Sequence, residues 1–338
     1  MARKNLLAGL LDDPMPRSPD VAAPRRELGD SGVEVSLFAL GSWRTWELIP
    51  REQAASVLDH ARSRGIDFLE VARYNDESGS APIPSGYSEV VFGEAFRASG
   101  WPRDEVTIGE KLWWEHWPQQ SPAEELDLSL ERTGLDHVDF LECDPPPAEL
   151  PMEDIVGMMG DLIAGGRARA WGIVNWEAER VAEAGRAARA AGVPAPKSAQ
   201  LPYSLAKRDW VESPEMSEAL DLCGASVMAS YVLVGGILSG KYAQGGGEGR
   251  MAERLDDPRM APAIAAVPAL LELSERLGEP PAVLAMAFAL SNPRVSTILT
   301  GATRPEQIDQ NLRALDVLEA LGEEDLAALK AVGAPGVA

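Results

Sequence analysis

Polar side chains that can move protons follow successive apolar, β-branched runs of this sequence. Glu70 and Lys111 lie at the ends of two such runs; Tyr74 comes shortly after the run that contains Glu70, and Asp144 comes shortly after a third run. An ammonium group next to a phenol lowers the phenol pKa from about 10 toward a working pH. A tyrosine in that position can donate a proton to a substrate oxygen. We therefore expect an acid–base centre formed by Tyr74, Lys111, Glu70 and Asp144.

The elements that must position these groups can be counted along the chain. Short apolar runs alternate with longer amphipathic stretches, which is typical of βα units around a parallel sheet. Eight runs have strand character: 35–40, 67–71, 106–111, 138–142, 170–174, 198–201, 226–231 and 296–299. This pattern predicts an α/β fold, a single-domain (β/α)8 TIM barrel, whose active site lies at the C-terminal ends of the strands. An open dinucleotide-binding sheet is disfavoured because no G-x-G-x-x-G follows the first run.

The segment after the last predicted strand has the features of a phosphate site. In LTGATRPEQIDQNL, Gly301 and Thr303 lead into a predicted helix. The free N–H groups and the dipole of a helix N-terminus attract phosphate, and Arg304 can pair with phosphate bidentately. A TIM barrel often binds phosphate at this point, although an ordinary capped surface helix also fits the pattern.

Composition and charge exclude several classes of function. The 338 residues include 31 basic and 53 acidic side chains, a net charge of −22, which disfavours nucleic acid and anionic membrane surfaces as partners. Cys143 and Cys223 form neither a metal-ligand spacing nor a disulfide framework. No stretch approaches the roughly 18 to 20 apolar residues of a membrane span, and the N-terminus does not have the pattern of an export signal. We expect a cytoplasmic protein with a small-molecule substrate and no metal; no protein partner is evident.

Two segments fall outside the repeating pattern. Residues 1–25 are rich in Pro and Asp and are expected to form an N-terminal arm, with 26–338 as the barrel domain. The glycine-rich segment that begins at Ala243 is either a hinged loop over the site or a passive loop.

Several blocks of the sequence resemble the aldo-keto reductases in order and spacing, from about Arg26 to Leu318. The blocks are RRELGDSGVEVSLFALGSW, GIDFLEVARYND, SGYSEVVFGEAF, VTIGEK, SLERTGLDHVDFLECD, GRARAWGIVN, AQLPYSL, GGILSGKY and GATRPEQIDQN. GGILSGKY resembles the bacterial and potassium-channel β-subunit-like branch. The resemblance implies a (β/α)8 barrel that binds NADPH without a Rossmann domain and reduces carbonyls with an Asp, Tyr, Lys and His tetrad.

The resemblance assigns roles to the four acid–base residues. Tyr74 corresponds to the acid that protonates the substrate oxygen, and Lys111 to the lysine that lowers its pKa. Glu70 stands where the family has aspartate, and Asp144 stands where it has histidine. Glutamate is one methylene longer, so its pairing with Lys111 requires a shift of about an ångström, which can change a rate about a hundredfold.

The resemblance also implies a cofactor site. The residues that correspond to its adenosine end are Gly301, Thr303, Arg304, Gln307, Gln310 and Asn311. Asn175 and Gln200 correspond to contacts of the nicotinamide carboxamide, and Trp43 joins the cofactor-binding set. Ser230 stands where the family has a stacking tyrosine, with Tyr231 one place later. A shift of one residue on a strand reverses the face, so Tyr231 replaces it only across a bulge. NADPH is the expected cofactor. The preference for its 2′-phosphate depends on Arg304 alone, so NADH remains an alternative.

The acid at position 144 suggests enone chemistry. If Glu70 holds the charge opposite Lys111, Asp144 can stay protonated and donate a hydrogen bond to a developing oxyanion, as a neutral aspartic acid does in ketosteroid isomerase. Family members that reduce conjugated double bonds carry an acid here, which points the same way. Five tryptophans are expected to rim the barrel mouth: Trp43, Trp46, Trp113, Trp114 and Trp117.

Three functional hypotheses follow. The first is an NADPH-dependent oxidoreductase that acts on a carbonyl or enone of a small organic molecule. The second is a non-redox enzyme, such as a lyase, dehydratase, isomerase or cyclase, which uses Tyr74 and Lys111 for acid–base chemistry. The third is an NADPH-sensing binding module.

Overall fold

The structure of the protein is a computed structural model, and it describes residues 23–76, 79, 81–243 and 254–333. Strands β1 (Arg25–Glu27) and β2 (Glu34–Ser36) form an antiparallel hairpin. The next eight strands close into a parallel barrel in the order β10-β3-β4-β5-β6-β7-β8-β9. They are β3 (Phe38–Gly41), β4 (Phe68–Val71), β5 (Thr107–Leu112), β6 (Phe140–Cys143), β7 (Ala170–Val174), β8 (Ser198–Pro202), β9 (Ser226–Ser230) and β10 (Val295–Thr300).

Helices follow the strands and cover the outside of the barrel. The α-helices are α1 (Arg51–Ser63), α2 (Tyr87–Ser99), α3 (Pro122–Thr133), α4 (Met152–Ala164), α5 (Ala178–Ala191), α6 (Asp209–Glu212), α7 (Pro214–Cys223), α8 (Ala261–Leu277), α9 (Pro281–Leu290), α10 (Pro305–Ala320) and α11 (Glu323–Ala331). Short 3₁₀ turns occur at Trp46–Leu48, Arg103–Glu105, Val234–Ser239 and Pro258–Met260. None of the helices in these ranges has the length and apolar composition needed to cross a membrane.

The inside of the barrel has an apolar floor. Side chains alternate across a strand, so every second residue faces the lumen. Five lumen residues pack with three from the β1–β2 hairpin to close the N-terminal end: Ala39, Phe68, Phe140, Ala170 and Met228, with Leu28, Val33 and Val35. Because this floor is filled, a ligand can enter only from the C-terminal ends of the strands.

The expected barrel is confirmed, with one correction to its first strand. The single strand expected over 35–40 is two strands that break at Leu37. Val35 packs into the floor of the barrel, and the Ser36 N–H donates to Asp67 Oδ1 at 2.9 Å. These contacts direct 34–36 into the hairpin, and the barrel strand starts at Phe38. The N-terminal arm falls largely on residues 1–22, and the first half of the segment that begins at Ala243 falls on 244–253; both stretches lie outside the described residues. The second half of that segment includes the 3₁₀ turn at Pro258–Met260 and the start of α8.

Candidate active site

Three of the expected acid–base residues are in mutual contact at the C-terminal end of the barrel. The Lys111 ammonium contacts Glu70 Oε1 and donates to Tyr74 Oη at 2.9 Å. The Tyr74 hydroxyl lies 3.3 Å from the same Glu70 oxygen, to which it donates. Lys111 is 5% exposed and Glu70 is 2% exposed. The sequence therefore brings a phenol, an ammonium and a carboxylate together in a site from which most water is excluded.

Strand register explains this arrangement. Glu70 lies two residues after Phe68 on β4, and Lys111 lies two residues after Gly109 on β5, so both side chains face the lumen. Tyr74 follows β4 in a tight turn in which its N–H donates to the Ala72 carbonyl. The Trp113 ring packs edge-on against the Tyr74 ring, with 5.5 Å between centroids. Two strands and one ring contact thus hold the phenol over the ammonium.

The longer glutamate at position 70 is accommodated next to a glycine. Gly41 ends β3 opposite Glu70, and a Cβ at position 41 would lie 3.1 Å from Glu70 Oε2. Space on that side therefore accepts the extra methylene while the contact with Lys111 is kept.

The pKa values differ from the expectation for Tyr74. Burial lowers the pKa of Lys111, but its acidic neighbours, chiefly Glu70 by its charge and its hydrogen bond, outweigh this effect, and the net pKa is raised well above its usual value. The pKa of Tyr74 is also raised, because burial and the Glu70 charge outweigh the effect of Lys111. The raised pKa of Tyr74 is opposite to the lowering expected from the sequence. Tyr74 is a neutral phenol that can donate, and Lys111 is cationic.

Asp144 lies directly after β6, and its N–H donates to the Leu112 carbonyl at 2.9 Å. Its Oδ2 atom is buried and has no hydrogen-bond partner among the described residues. Burial raises the pKa of Asp144 to about 6; the Lys111 charge opposes this and the Glu70 and Glu125 charges add to it. At neutral pH most Asp144 side chains are therefore ionised. The protonated form expected from the sequence requires a lower pH.

A fifth ionisable group, Glu142, belongs to the same cluster and escaped the sequence analysis. It lies on β6 next to Lys111 in the strand register and is fully buried. Both of its carboxyl oxygens are without a hydrogen-bond partner among the described residues. Burial raises its pKa to about 8, against the opposing effect of Lys111 and with the Glu70 and Asp144 charges adding to it. The signal was present: Glu142 shares a strand face with Phe140, so an acid in that alternation must point into the barrel.

Asn175 directly follows β7, and Gln200 lies within the neighbouring strand β8. The Asn175 N–H donates to the Gln200 carbonyl at 3.0 Å, and Asn175 adopts a left-handed conformation with φ of 56° just past β7. Gln200 is 7% exposed, and its Oε1 atom is buried without a hydrogen-bond partner among the described residues. A buried amide oxygen of this kind needs a donor, and the amide of a nicotinamide supplies one.

The end of β9 differs from an uninterrupted strand. Ser230 is its last residue, and Tyr231 has a left-handed φ of 58°. The alternation of faces therefore stops at Ser230, so the orientation of Tyr231 is set by a turn. The Ser230 carbonyl accepts the Tyr203 N–H at 3.0 Å, which fixes the strand end.

The segment expected to hold the adenosine end connects β10 to α10. Gly301 and Arg304 are exposed, and α10 begins at Pro305. The Gln307 Oε1 atom accepts the Thr303 N–H at 2.7 Å and the Arg304 N–H at 3.2 Å. Gln307 of α10 thus fixes the conformation of the loop that precedes the helix. Gln310 is exposed and Asn311 partly exposed on the first turns of α10.

The tryptophans divide into two groups. Trp43 is 40% exposed, and Trp113 is partly exposed next to Tyr74. Trp46 is buried against Phe92, and Trp114 is buried with its N–H 3.2 Å from Cys143 Sγ, so neither lines the mouth as expected. Trp117 packs edge-on against the Trp114 ring.

The residues present fit a nicotinamide cofactor and give no sign of a metal centre in the ranges that the structure describes. No group of three or more His, Cys, Asp or Glu side chains there is arranged to hold a metal ion. The unpartnered oxygen of Gln200 and the exposed loop before α10 lie at the same end of the parallel barrel as Tyr74 and Lys111.

Comparison with known proteins agrees with the fold. The model of the aldo/keto reductase family matches residues 38–334. A rice protein (Oryza sativa subsp. japonica) named as a probable voltage-gated potassium channel subunit beta is 31% identical over 327 residues, which is 91% of this chain and 95% of that protein. A protein of the same name from Arabidopsis thaliana is 31% identical over 316 residues, or 88% of this chain and 92% of the relative.

Proposed function

Since the chain belongs to the aldo/keto reductase family, we propose that it is an NADPH-dependent oxidoreductase that acts on a carbonyl or enone of a small organic molecule. The observation that carries this proposal is the contact of Lys111 with both Glu70 and Tyr74 in a buried site. A neutral phenol held by an ammonium is the group that a reductase needs to protonate a substrate oxygen.

Three residues of the chain would have separate roles at the reacting end of the site. The cofactor supplies the hydride when it is bound. Tyr74 donates its proton to the oxygen on which negative charge develops, and Lys111, 2.9 Å from the phenol oxygen, stabilises the resulting phenolate. Glu70 holds Lys111 in place and balances its charge.

Other residues would hold the cofactor. Gln200 accepts a hydrogen bond from the carboxamide, and Asn175, on the adjacent strand end, contacts the same group. Arg304 pairs with the 2′-phosphate, and the loop 301–303 accommodates the adenosine phosphates at the start of α10. Trp43 and Trp113 would line the entrance for a flat or apolar substrate.

The names of the relatives favour a second candidate function. Two proteins that match this chain over about nine tenths of its length are named as probable potassium channel beta subunits. The corresponding proposal is a subunit that binds NADPH and whose protein partner distinguishes the NADPH-bound form from the free form. The acid–base site would then be retained without rapid turnover.

Nucleotide binding and turnover separate these functions. The purified, cofactor-stripped protein is titrated with NADPH and with NADH by fluorescence and calorimetry. Aldehydes, ketones and enones are then added while the absorbance of the reduced nicotinamide is followed. NADPH binding with oxidation by a panel member supports the oxidoreductase, and binding without oxidation favours the sensing subunit. Failure to bind either nucleotide would contradict both and leave non-redox acid–base chemistry.

A further inference from the structure

Glu142 is placed in the lumen by the strand pattern, next to Lys111. It pairs in register with Lys111 across β5 and β6, and it lies two residues after Phe140, which belongs to the lumen floor. Gly109 makes room for it, since a Cβ at position 109 would lie 3.2 Å from Glu142 Oε1 and 3.2 Å from the Phe68 ring. A larger residue at 109 would push against the carboxyl.

The carboxyl of Glu142 has charged neighbours but no hydrogen-bond donor among the described residues. The groups that face it are Glu70 and Tyr74 from β4 and the turn after it, Lys111 from β5, and Asp144 at the end of β6. On the other side, β7 contributes Gly172, which has no side chain. A buried carboxylate without a donor is strongly disfavoured, whereas a neutral carboxylic acid is tolerated.

We propose that Glu142 is a positioning residue of the site. When Glu142 is a neutral acid, the Lys111 ammonium interacts with Glu70 and Tyr74. When Glu142 is a carboxylate, it competes for that ammonium and makes Tyr74 a weaker proton donor. This inference rests on the proposed function for its catalytic consequence, but the protonation of Glu142 can be observed without any turnover.

Charge accounts for the direction of the effect. With Glu142 neutral, the ammonium of Lys111 is opposed in the lumen by Glu70 and, above about pH 6, by Asp144. Ionisation of Glu142 adds a negative charge that raises the pKa of Tyr74 and attracts the Lys111 ammonium. Both changes disfavour proton donation, so the rate of the proposed reaction falls as the pH rises through about 8.

The first test observes the proton directly. Infrared difference spectra between the wild type and Glu142→Gln, recorded from pH 4 to 10, are expected to contain the C=O band of a protonated carboxylic acid that disappears with a midpoint near pH 8. The difference isolates Glu142 from Glu110, whose pKa burial also raises. Asp144→Asn is the matched control, because its own difference band should disappear near pH 6. No protonated band of Glu142 at pH 7 would overturn the proposal.

The second test uses catalysis. With saturating NADPH and the fastest carbonyl of the panel, log kcat of the wild type is expected to bend downward near pH 8. The bend should be absent below pH 9 in Glu142→Gln and present in Glu142→Asp, which keeps an acid in the lumen. A bend at the same pH in all three proteins would overturn the proposal. If no substrate is turned over, the infrared result still decides whether Glu142 holds the proton, so the two proposals fail separately.

Discussion

Replacement of Glu142 by glutamine should flatten the pH dependence of the protein's stability. The carboxyl has a pKa of about 8 in the folded chain and an ordinary value of 4.5 in the unfolded chain. Between these values the folded state binds the proton and the unfolded state does not, so stability falls as the pH rises. The contribution is fully present below about pH 4.5 and is lost by about pH 8.

The size of this loss follows from the two pKa values. Each pKa unit corresponds to about 1.4 kcal/mol, so the wild type should lose about 5 kcal/mol through Glu142 between the two limits. Glutamine is of similar size and does not titrate, so Glu142→Gln removes this term. The free energy of unfolding of the variant, measured against that of the wild type, should therefore rise by several kcal/mol between pH 5 and pH 8.

Urea unfolding at pH 5, 6, 7, 8 and 9 measures this difference, with m-values compared to check that both proteins unfold over the same surface. Glu153→Gln on α4 is the matched control, because Glu153 is exposed. Its stability should run parallel to that of the wild type at every pH. If Glu142→Gln also runs parallel, Glu142 titrates alike in the folded and unfolded chains, and the reasoning about its burial is refuted.

Three further predictions concern the cluster and the cofactor. Glu70→Asp shortens the partner of Lys111 by one methylene, and the resulting displacement of the carboxylate from Lys111 should lower kcat by about a hundredfold. Steady-state turnover measures this, and an unchanged kcat would show that the length of this side chain is immaterial. Gly109→Ala should destabilise the protein by about 1–3 kcal/mol, since the added methyl lies 3.2 Å from Glu142 Oε1 and from the Phe68 ring; thermal unfolding measures it, and an unchanged Tm would argue against a filled lumen. Arg304→Ala should weaken NADPH binding by about ten- to a hundredfold through loss of a charge-assisted hydrogen bond and leave the affinity for NADH almost unchanged. Calorimetry with both nucleotides tests this, and equal losses of affinity would place the 2′-phosphate elsewhere.

Much of the fold was predictable because apolar runs and helical stretches alternate over the whole barrel. The break at Leu37 was not predictable, since Val35 and Phe38 are both apolar and both buried, and only the floor of the barrel assigns them to different strands. Trp46 was misjudged for a similar reason. Its position in a loop suggested the mouth, but the short 3₁₀ turn at Trp46–Leu48 packs its ring on Phe92.

The residues of the acid–base site could be predicted from the sequence, but their protonation states could be predicted less well. Strand-end position was enough to select Glu70, Tyr74 and Lys111, which the structure brings into contact. Protonation depends on how deeply each group is buried and on the sum of its neighbours' charges, which sequence spacing does not give. Hence the raised pKa values of Tyr74 and Glu142 became apparent only with the packed lumen.

The most direct test of the central claim compares Tyr74→Phe with the wild type and with Tyr87→Phe, whose hydroxyl contacts Arg51 on the outer helices. NADPH affinity and single-turnover oxidation of NADPH are measured on all three proteins with one accepted carbonyl. The account predicts that Tyr74→Phe binds NADPH with an affinity within about threefold of the wild type and reduces the carbonyl at least about a hundredfold more slowly, while Tyr87→Phe matches the wild type. Full activity of Tyr74→Phe would contradict the account, because proton donation would then come from another group.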